Sequence, residues 1–197
     1  MIKYLGTIYG GWAVDLSKIN DGDTIIDAGL GEDISFLEEL LKEKKVNIIG
    51  VDPTIKSHLF IEKKNLSELK LIKKAIAKDG INTIRMFKNS NPEYVSESVF
   101  KEHQMTSEES YEVECISFKK LIEQNSNISV IKMDIEGVEY DVLEECLGIP
   151  QLCVEFHHHC IDGIEFKETR NKIKMLLNNG YKIIHKNDKL SEISFSL

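Results

Sequence analysis

An open, mostly parallel α/β sheet with helices on both faces is the fold class this sequence predicts, and three observations carry it. Short apolar, β-branched runs at residues 24–26, 46–51 and 129–133 are each followed directly by an aspartate: Asp27, Asp52 and Asp134. Stretches with apolar residues at helical spacing alternate with such runs nearly to the end of the chain, the signature of strands joined by crossover helices. The first run also passes into its helix through a turn with glycines at alternate positions, Gly29 and Gly31. Turns of that kind lie at the carboxyl edge of a central strand, where a ligand approaches the backbone and the helix start offers free N–H groups.

Taken in order, residues 1–22 are a lead-in whose distinctive feature is Tyr9-Gly10-Gly11-Trp12. It reads either as a turn anchored by an aromatic or as a segment that folds over a ligand. The glycine turn leads into a helix marked by Phe36, Leu37, Leu40 and Leu41. The strand at 46–51 ends at Asp52 with Pro53 behind it, and a helix follows over 55–66. Residues 69–77 are a candidate third strand, diluted by Lys70, Lys73 and Lys74. Residues 78–112 show no sustained period and are rich in Ser, Asn, Glu and Lys; a stretch this irregular within a domain is expected to cover the acceptor side of a pocket. Regularity resumes with a strand at 113–116, a short helix at 118–123, the strand at 129–133, and a helix carrying Val138, Val142 and Cys146 that Gly148 and Pro150 close. A buried strand at 152–156 runs into His157-His158-His159, and an amphipathic helix at 166–177 precedes strands at 181–185 and 193–197. With no linker or repeat in view, residues 1–197 read as a single domain.

Composition bounds the function. With 42% hydrophobic and 29% charged residues the chain reads as globular. A net charge of −8 argues against a nucleic-acid surface, which needs a basic face. Cys115, Cys146, Cys153 and Cys160 form no C-x-x-C pair and sit mostly in apolar runs, so a reducing, cytoplasmic setting is expected. No apolar run is long enough for a membrane span or an export signal, and no membrane insertion is expected.

The glycine turn narrows the ligand by what it lacks. A dinucleotide fingerprint needs a small residue where Ile34 stands, and Glu32 and Asp33 in the first turn would repel a pyrophosphate. S-adenosylmethionine, with a ribose, an ammonium, a sulfonium and no phosphate, fits better. Asp52, at the end of the second strand, stands where an acid accepts ribose hydroxyls.

The blocks Asp27-Ala28-Gly29-Leu30-Gly31-Glu32-Asp33-Ile34-Ser35-Phe36, Asp52-Pro53-Thr54, the run from Ile116 to Ile122, Lys132-Met133-Asp134-Ile135-Glu136-Gly137-Val138-Glu139 and Val154-Glu155-Phe156-His157 resemble, in order and spacing, the FkbM-type methyltransferases. The likeness spans residues 9–185, and G-E-D-I-S-F with D-P-T places the chain in a distinct branch. The resemblance implies a Rossmann-like, doubly wound methyltransferase fold, S-adenosylmethionine as cofactor, and O-methylation of a sugar, glycan or secondary metabolite. A relative that only binds the cofactor or a partner is the alternative, and a nicotinamide oxidoreductase is disfavoured by Glu32 and Asp33. By position, Gly29 and Gly31 approach the methionine part, Asp27 orders the loop or meets the ammonium, Asp52 holds the ribose, and Ala75 or Asp79 borders the adenine. Asp134 and Glu136 fall near the transferable methyl, although a plain helix cap at Asp134 is also open.

Three consecutive histidines on a strand alternate faces and cannot jointly ligate one ion unless the strand has already ended, so no metal is expected, with a divalent-ion site that includes Asp134 and a histidine as the alternative. His157 is read instead as the general base. Because the fourth and fifth strands adjoin in this fold, Asp134 and His157 should face one crevice, with Asp134 raising the imidazole pKa.

Overall fold

The computed structural model describes residues 1–197. The lead-in is a hairpin of β1 (Ile2–Leu5) and β2 (Trp12–Asp15). It is followed by β3 (Thr24–Ala28), α1 (Ser35–Glu43), β4 (Asn47–Val51), α2 (Ile55–Lys64), β5 (Leu69–Ile72) and β6 (Ala75–Ile76). Then come β7 (Thr83–Asn89), β8 (Thr106–Ile116), α3 (Phe118–Gln124), β9 (Ile128–Met133), α4 (Glu139–Val142), β10 (Gln151–Glu155), α5 (Phe166–Asn178), β11 (Lys182–Lys186) and β12 (Glu192–Ser196).

Seven strands form the central sheet in the order β11-β12-β10-β9-β3-β4-β5. The five from β10 to β5 are parallel, and β12 runs antiparallel to both neighbours. The direction changes there because no helix intervenes between β11 and β12, and a short connection can only return the chain antiparallel. This is the Rossmann-like arrangement of methyltransferases, with the sheet order reversing between β3 and β9.

Side-chain alternation builds the two layers. Ile26, Ile49, Ile131, Met133, Leu152 and Val154 point to one face and pack with Phe118, Leu121 and Leu176 from α3 and α5. Ile25, Ile48, Val130 and Cys153 point to the other, against Phe36, Leu37 and Leu40 of α1 and the lead-in residues Leu5, Trp12 and Val14. Trp12 is thus the buried anchor of its turn, packed in the layer of α1, whereas Tyr9 is 91% exposed.

Three expectations need correction. The candidate strand at 69–77 divides: β5 ends at Ile72, and Ala75–Ile76 leaves the central sheet to pair with β8. Lys73 and Lys74 mark the break, each extending to an exposed glutamate, Glu62 and Glu114 respectively. The strand expected at 113–116 begins earlier, at Thr106, and pairs antiparallel with β7, so a hairpin occupies much of residues 78–112. The helix after β9 is one short α turn that tightens into a 3-10 turn over Leu143–Cys146. All four cysteines are free thiols. No helix is long and apolar enough to cross a membrane.

Candidate active site

The carboxyl ends of β3, β4 and β9 meet at the reversal of strand order, and two cavities open there. The first, about 640 Å³ including its open mouth, is lined by Gly29, Gly31, Asp52, Thr54, Ala75, Ile76, Asp134 and Glu136, with Val95 to Glu97 and Val99 from the hairpin connection as its cover.

Gly29 and Gly31 both have positive φ, +81° and +55°. The backbone of Asp134 passes so close to Gly29 that a Cβ there would lie 1.7 Å from the Asp134 carbonyl oxygen. Asp52 locks the loop from the other side: Gly31 N donates to Oδ2 at 3.0 Å, while Thr54 N and Thr54 Oγ1 donate to Oδ1 at 2.8 and 2.6 Å. Three of roughly four acceptor positions on the carboxylate are then taken, leaving one for a ligand hydroxyl.

Asp27 lies under the loop and does not line the cavity. It is 3% exposed and pairs at 3.1 Å with Lys132 Nζ, which also donates to Gly29 O at 2.5 Å. Of its two expected roles, ordering the loop is the one this position permits. Burial works against a charged Lys132, but the carboxylates of Asp27 and Asp134 outweigh it and raise its pKa. Asp79 does not reach the cavity. Its carboxylate pairs with Lys119 Nζ at 2.9 Å and accepts from Ser117 Oγ at 3.2 Å, so of the two candidates Ala75 and Asp79 only Ala75 lines the cavity.

The second cavity adjoins the first and shares Ser96 and Glu136 with it; Asn89, Tyr94, His103, Glu155, His157 and His159 complete most of its wall. Neither cavity is lined by a lysine or arginine. At the junction the expected pair comes together, with His157 Nε2 3.6 Å from Asp134 Oδ1 and 3.4 Å from Glu136 Oε2.

The partner that orients His157 is not Asp134. Glu139, fully buried, accepts from both the backbone N and Nδ1 of His157 through Oε1, at 2.9 and 2.8 Å, and from Gly137 N through Oε2. Burial disfavours the imidazolium, yet Glu139, Glu136 and Asp134 together hold the His157 pKa well above its usual value. Burial raises the pKa of Asp134, opposed by Lys132 and His157, and raises that of Glu155, with Asp134 adding to it.

Glu136 itself adopts a left-handed backbone, φ +52°, which a non-glycine residue holds only when its surroundings require it. They do so through the hairpin: Ser98 Oγ donates to Glu136 O at 2.7 Å, and His103 Nε2 lies 3.1 Å from Glu136 Oε2. The next residue, Gly137, has φ +108°, and a Cβ there would collide with Ile161 and Phe100.

Sequence reasoning assigned no role to Lys132, Glu139, Thr54 or His103. The first three stand within the blocks quoted above, so a signal existed; His103 carries none, because only the folded hairpin brings it to Glu136.

The methyltransferase FkbM domain matches residues 20–183. No curated protein sequence matches the chain. Among solved structures, an rRNA methylase from Streptococcus thermophilus superposes with a TM-score of 0.50 at 8% identity, covering 91% of this chain and 87% of its own. Fibrillarin from Aeropyrum pernix with natively bound S-adenosyl-L-methionine gives 0.49 at 10% identity, covering 93% and 70%. Precorrin-6y C5,15-methyltransferase from Geobacter metallireducens gives 0.47 at 9%, covering 91% and 82%. The residues present suit S-adenosylmethionine, since an acid faces the first cavity at the end of β4, glycines cradle its floor, and no cation is placed for a phosphate. The chain belongs to the FkbM family of S-adenosylmethionine-dependent methyltransferases.

Proposed function

We propose that this methyltransferase transfers its methyl group to a hydroxyl oxygen of a sugar, glycan or secondary metabolite. The single observation that carries the reading is the pair of adjoining cavities with Asp134, Glu136 and His157 at their junction. In this reading the first cavity takes the cofactor: Gly29 and Gly31 against the methionine part, Asp52 on a ribose hydroxyl, Ala75 beside the adenine. The second takes the acceptor, and Asp134 and His157 fix its hydroxyl at the methyl.

The sulfonium is an activated donor, so the protein's task is to place an oxygen in line with the S–CH₃ bond and exclude competing positions. The acceptor oxygen's electron pair forms the new O–CH₃ bond as its proton leaves to solvent through the open second cavity, the S–CH₃ pair returns to sulfur, and S-adenosylhomocysteine leaves. The second cavity supports a hydroxylated, non-nucleic acceptor, because its wall offers carboxylates, imidazoles, Asn89 and Ser96 as hydrogen-bonding groups but no lysine or arginine for phosphates. The exposed ring of Tyr94 at its rim supplies an apolar face for a sugar ring.

The test is S-adenosylhomocysteine release with a panel of glycosides, polyols, polyketide alcohols and RNA. Turnover with a hydroxylated small molecule or glycan, with the methyl on oxygen by mass spectrometry, is the expected result. Turnover only with RNA would overturn the acceptor assignment, and cofactor binding without turnover on any acceptor would favour the binding-only alternative.

A further inference from the structure

We propose that Asp134, Glu136 and His157 form a divalent-cation site at the boundary of the two cavities, through which the acceptor hydroxyl is held. One oxygen from each carboxylate and Nε2 of His157 lie within 4.8 Å of one another. The inference departs from the expectation of no metal. It takes up the alternative of a site with Asp134 and one histidine, to which the folded chain adds Glu136 from the same strand end.

Three further features point to a cation. First, Glu139 fixes the ring: it accepts from His157 Nδ1 at 2.8 Å, so that nitrogen keeps its hydrogen and an ion would bind at Nε2, displacing the proton there. This is the carboxylate–histidine–metal relay by which proteins set the tautomer of a ligand. Second, Nε2 faces two carboxylate oxygens at 3.4 and 3.6 Å, longer than an ordinary N–H···O bond. An ion bound at about 2.0–2.2 Å from each donor would hold its ligands about 3–3.5 Å apart, close to these two separations.

Third, His103 is aimed into the cluster without a proper partner. Its side chain is 3% exposed, and Met105 N donates to its Nδ1, which places the hydrogen on Nε2. That Nε2 makes no aligned hydrogen bond although Glu136 Oε2 is only 3.1 Å away. A hydrogen donor there would fix the orientation of a Glu136 carboxylate that binds an ion through its other lone pairs. His103 is therefore a positioning residue and not a ligand.

The donor set, two carboxylate oxygens and one imidazole, suits Mn²⁺, Mg²⁺ or a similar first-row ion, and three protein ligands leave positions open for solvent or substrate. Those positions face the second cavity. A hydroxyl bound there is acidified as a metal-bound water is; its proton leaves to solvent through the open cleft, and the oxygen pair attacks the methyl carbon. This step rests on the O-methylation reading, but the site itself can be tested without it.

The test is a Mn²⁺ titration of the purified chain followed by electron paramagnetic resonance of free Mn²⁺, with no cofactor or acceptor present. One ion per chain is expected, displaced by excess Mg²⁺ or by chelator. Glu136→Gln should weaken binding at least tenfold, and His103→Gln should weaken it more modestly. Asp79→Asn, a carboxylate outside the cluster, should bind as the parent does. Circular dichroism and thermal melting of each variant separate loss of the site from loss of the fold. No saturable binding by the parent at millimolar Mn²⁺ would overturn the proposal, as would undiminished binding by folded Glu136→Gln. Failure of O-methylation would show instead in the acceptor panel, with Mn²⁺ binding unaffected.

Discussion

Replacing Gly29 or Gly31 by alanine is the same chemical change two residues apart, and the structure predicts very different costs. Both positions have positive φ, where an L-residue loses about 1–2 kcal/mol relative to glycine. At Gly31 that is nearly the whole cost, since the nearest atom to a new Cβ is Val95 Cγ2 at an ordinary 3.6 Å. At Gly29 the Cβ would lie 1.7 Å from the backbone oxygen of Asp134, which no rotamer change can relieve. The ends of β3 and β9 would have to part. Their parting strains the bond between them, Asp134 N to Ala28 O at 3.0 Å, and displaces Gly29 N from Val51 O of β4, to which it donates at 2.9 Å, each bond with a net contribution of about 0.5–1.5 kcal/mol. Gly29→Ala should therefore lose about 2–5 kcal/mol and Gly31→Ala about 1–2 kcal/mol. Urea unfolding followed by circular dichroism measures both, with the midpoint shift converted through a common slope. Equal losses, or a larger loss at Gly31, would refute the close approach of β9 to the glycine loop.

Lys132→Met removes the cation that joins Asp27 to the carbonyl of Gly29 and leaves a buried carboxylate without its partner. A loss of about 3–5 kcal/mol in the same unfolding assay is expected, and a loss below 1 kcal/mol would contradict that pairing. Tyr181, its pKa pushed up to about 12 chiefly by burial, donates to Ile149 O at 2.8 Å and accepts from Gly148 N. Its folded pKa lies above the unfolded value near 10, so the contribution is complete below about pH 10 and is lost as pH climbs towards 12. Tyr181→Phe should cost about 1–3 kcal/mol at neutral pH and flatten the alkaline fall in stability, and an unchanged alkaline slope would argue against this. Amide exchange in the hairpin connection at residues 94–100 should slow when S-adenosylmethionine is added; exchange indifferent to the cofactor would remove this segment from the cavity cover.

The central sheet and its ligand edge were legible because buried parallel strands read as short β-branched runs, each ending at an aspartate that the fold then uses. The glycine turn, Asp52 and the block around Asp134 stand where the spacing placed them. The β7–β8 hairpin was not legible because its strands are exposed on much of both faces: β7 buries only Met86 and Asn89, so no alternation survives in the sequence. Asp79 misled by position, since its neighbour in space is Lys119 on α3 and not the adenine side of the cavity. The orienting partner of His157 was misassigned because Asp134 and Glu139 both reach that strand end. Only the turn of α4 shows that Glu139 lies under the ring, with Asp134 at the other nitrogen. His103 lay beyond any reading by spacing, because its place beside Glu136 depends on how the hairpin connection folds back.

Titration calorimetry with S-adenosylmethionine, on the parent and on Asp52→Asn, bears most directly on the cofactor site. The amide introduced by that substitution would retain one acceptor oxygen but turn a donor towards the N–H groups of Gly31 or Thr54 and lose the charge-assisted bond to the ribose. Saturable one-to-one binding by the parent is predicted, weakened about tenfold to a hundredfold in the variant, with no heat from NAD. An absence of saturable binding to S-adenosylmethionine, or equal affinity in folded Asp52→Asn, would contradict the placement of the cofactor at the carboxyl ends of β3 and β4.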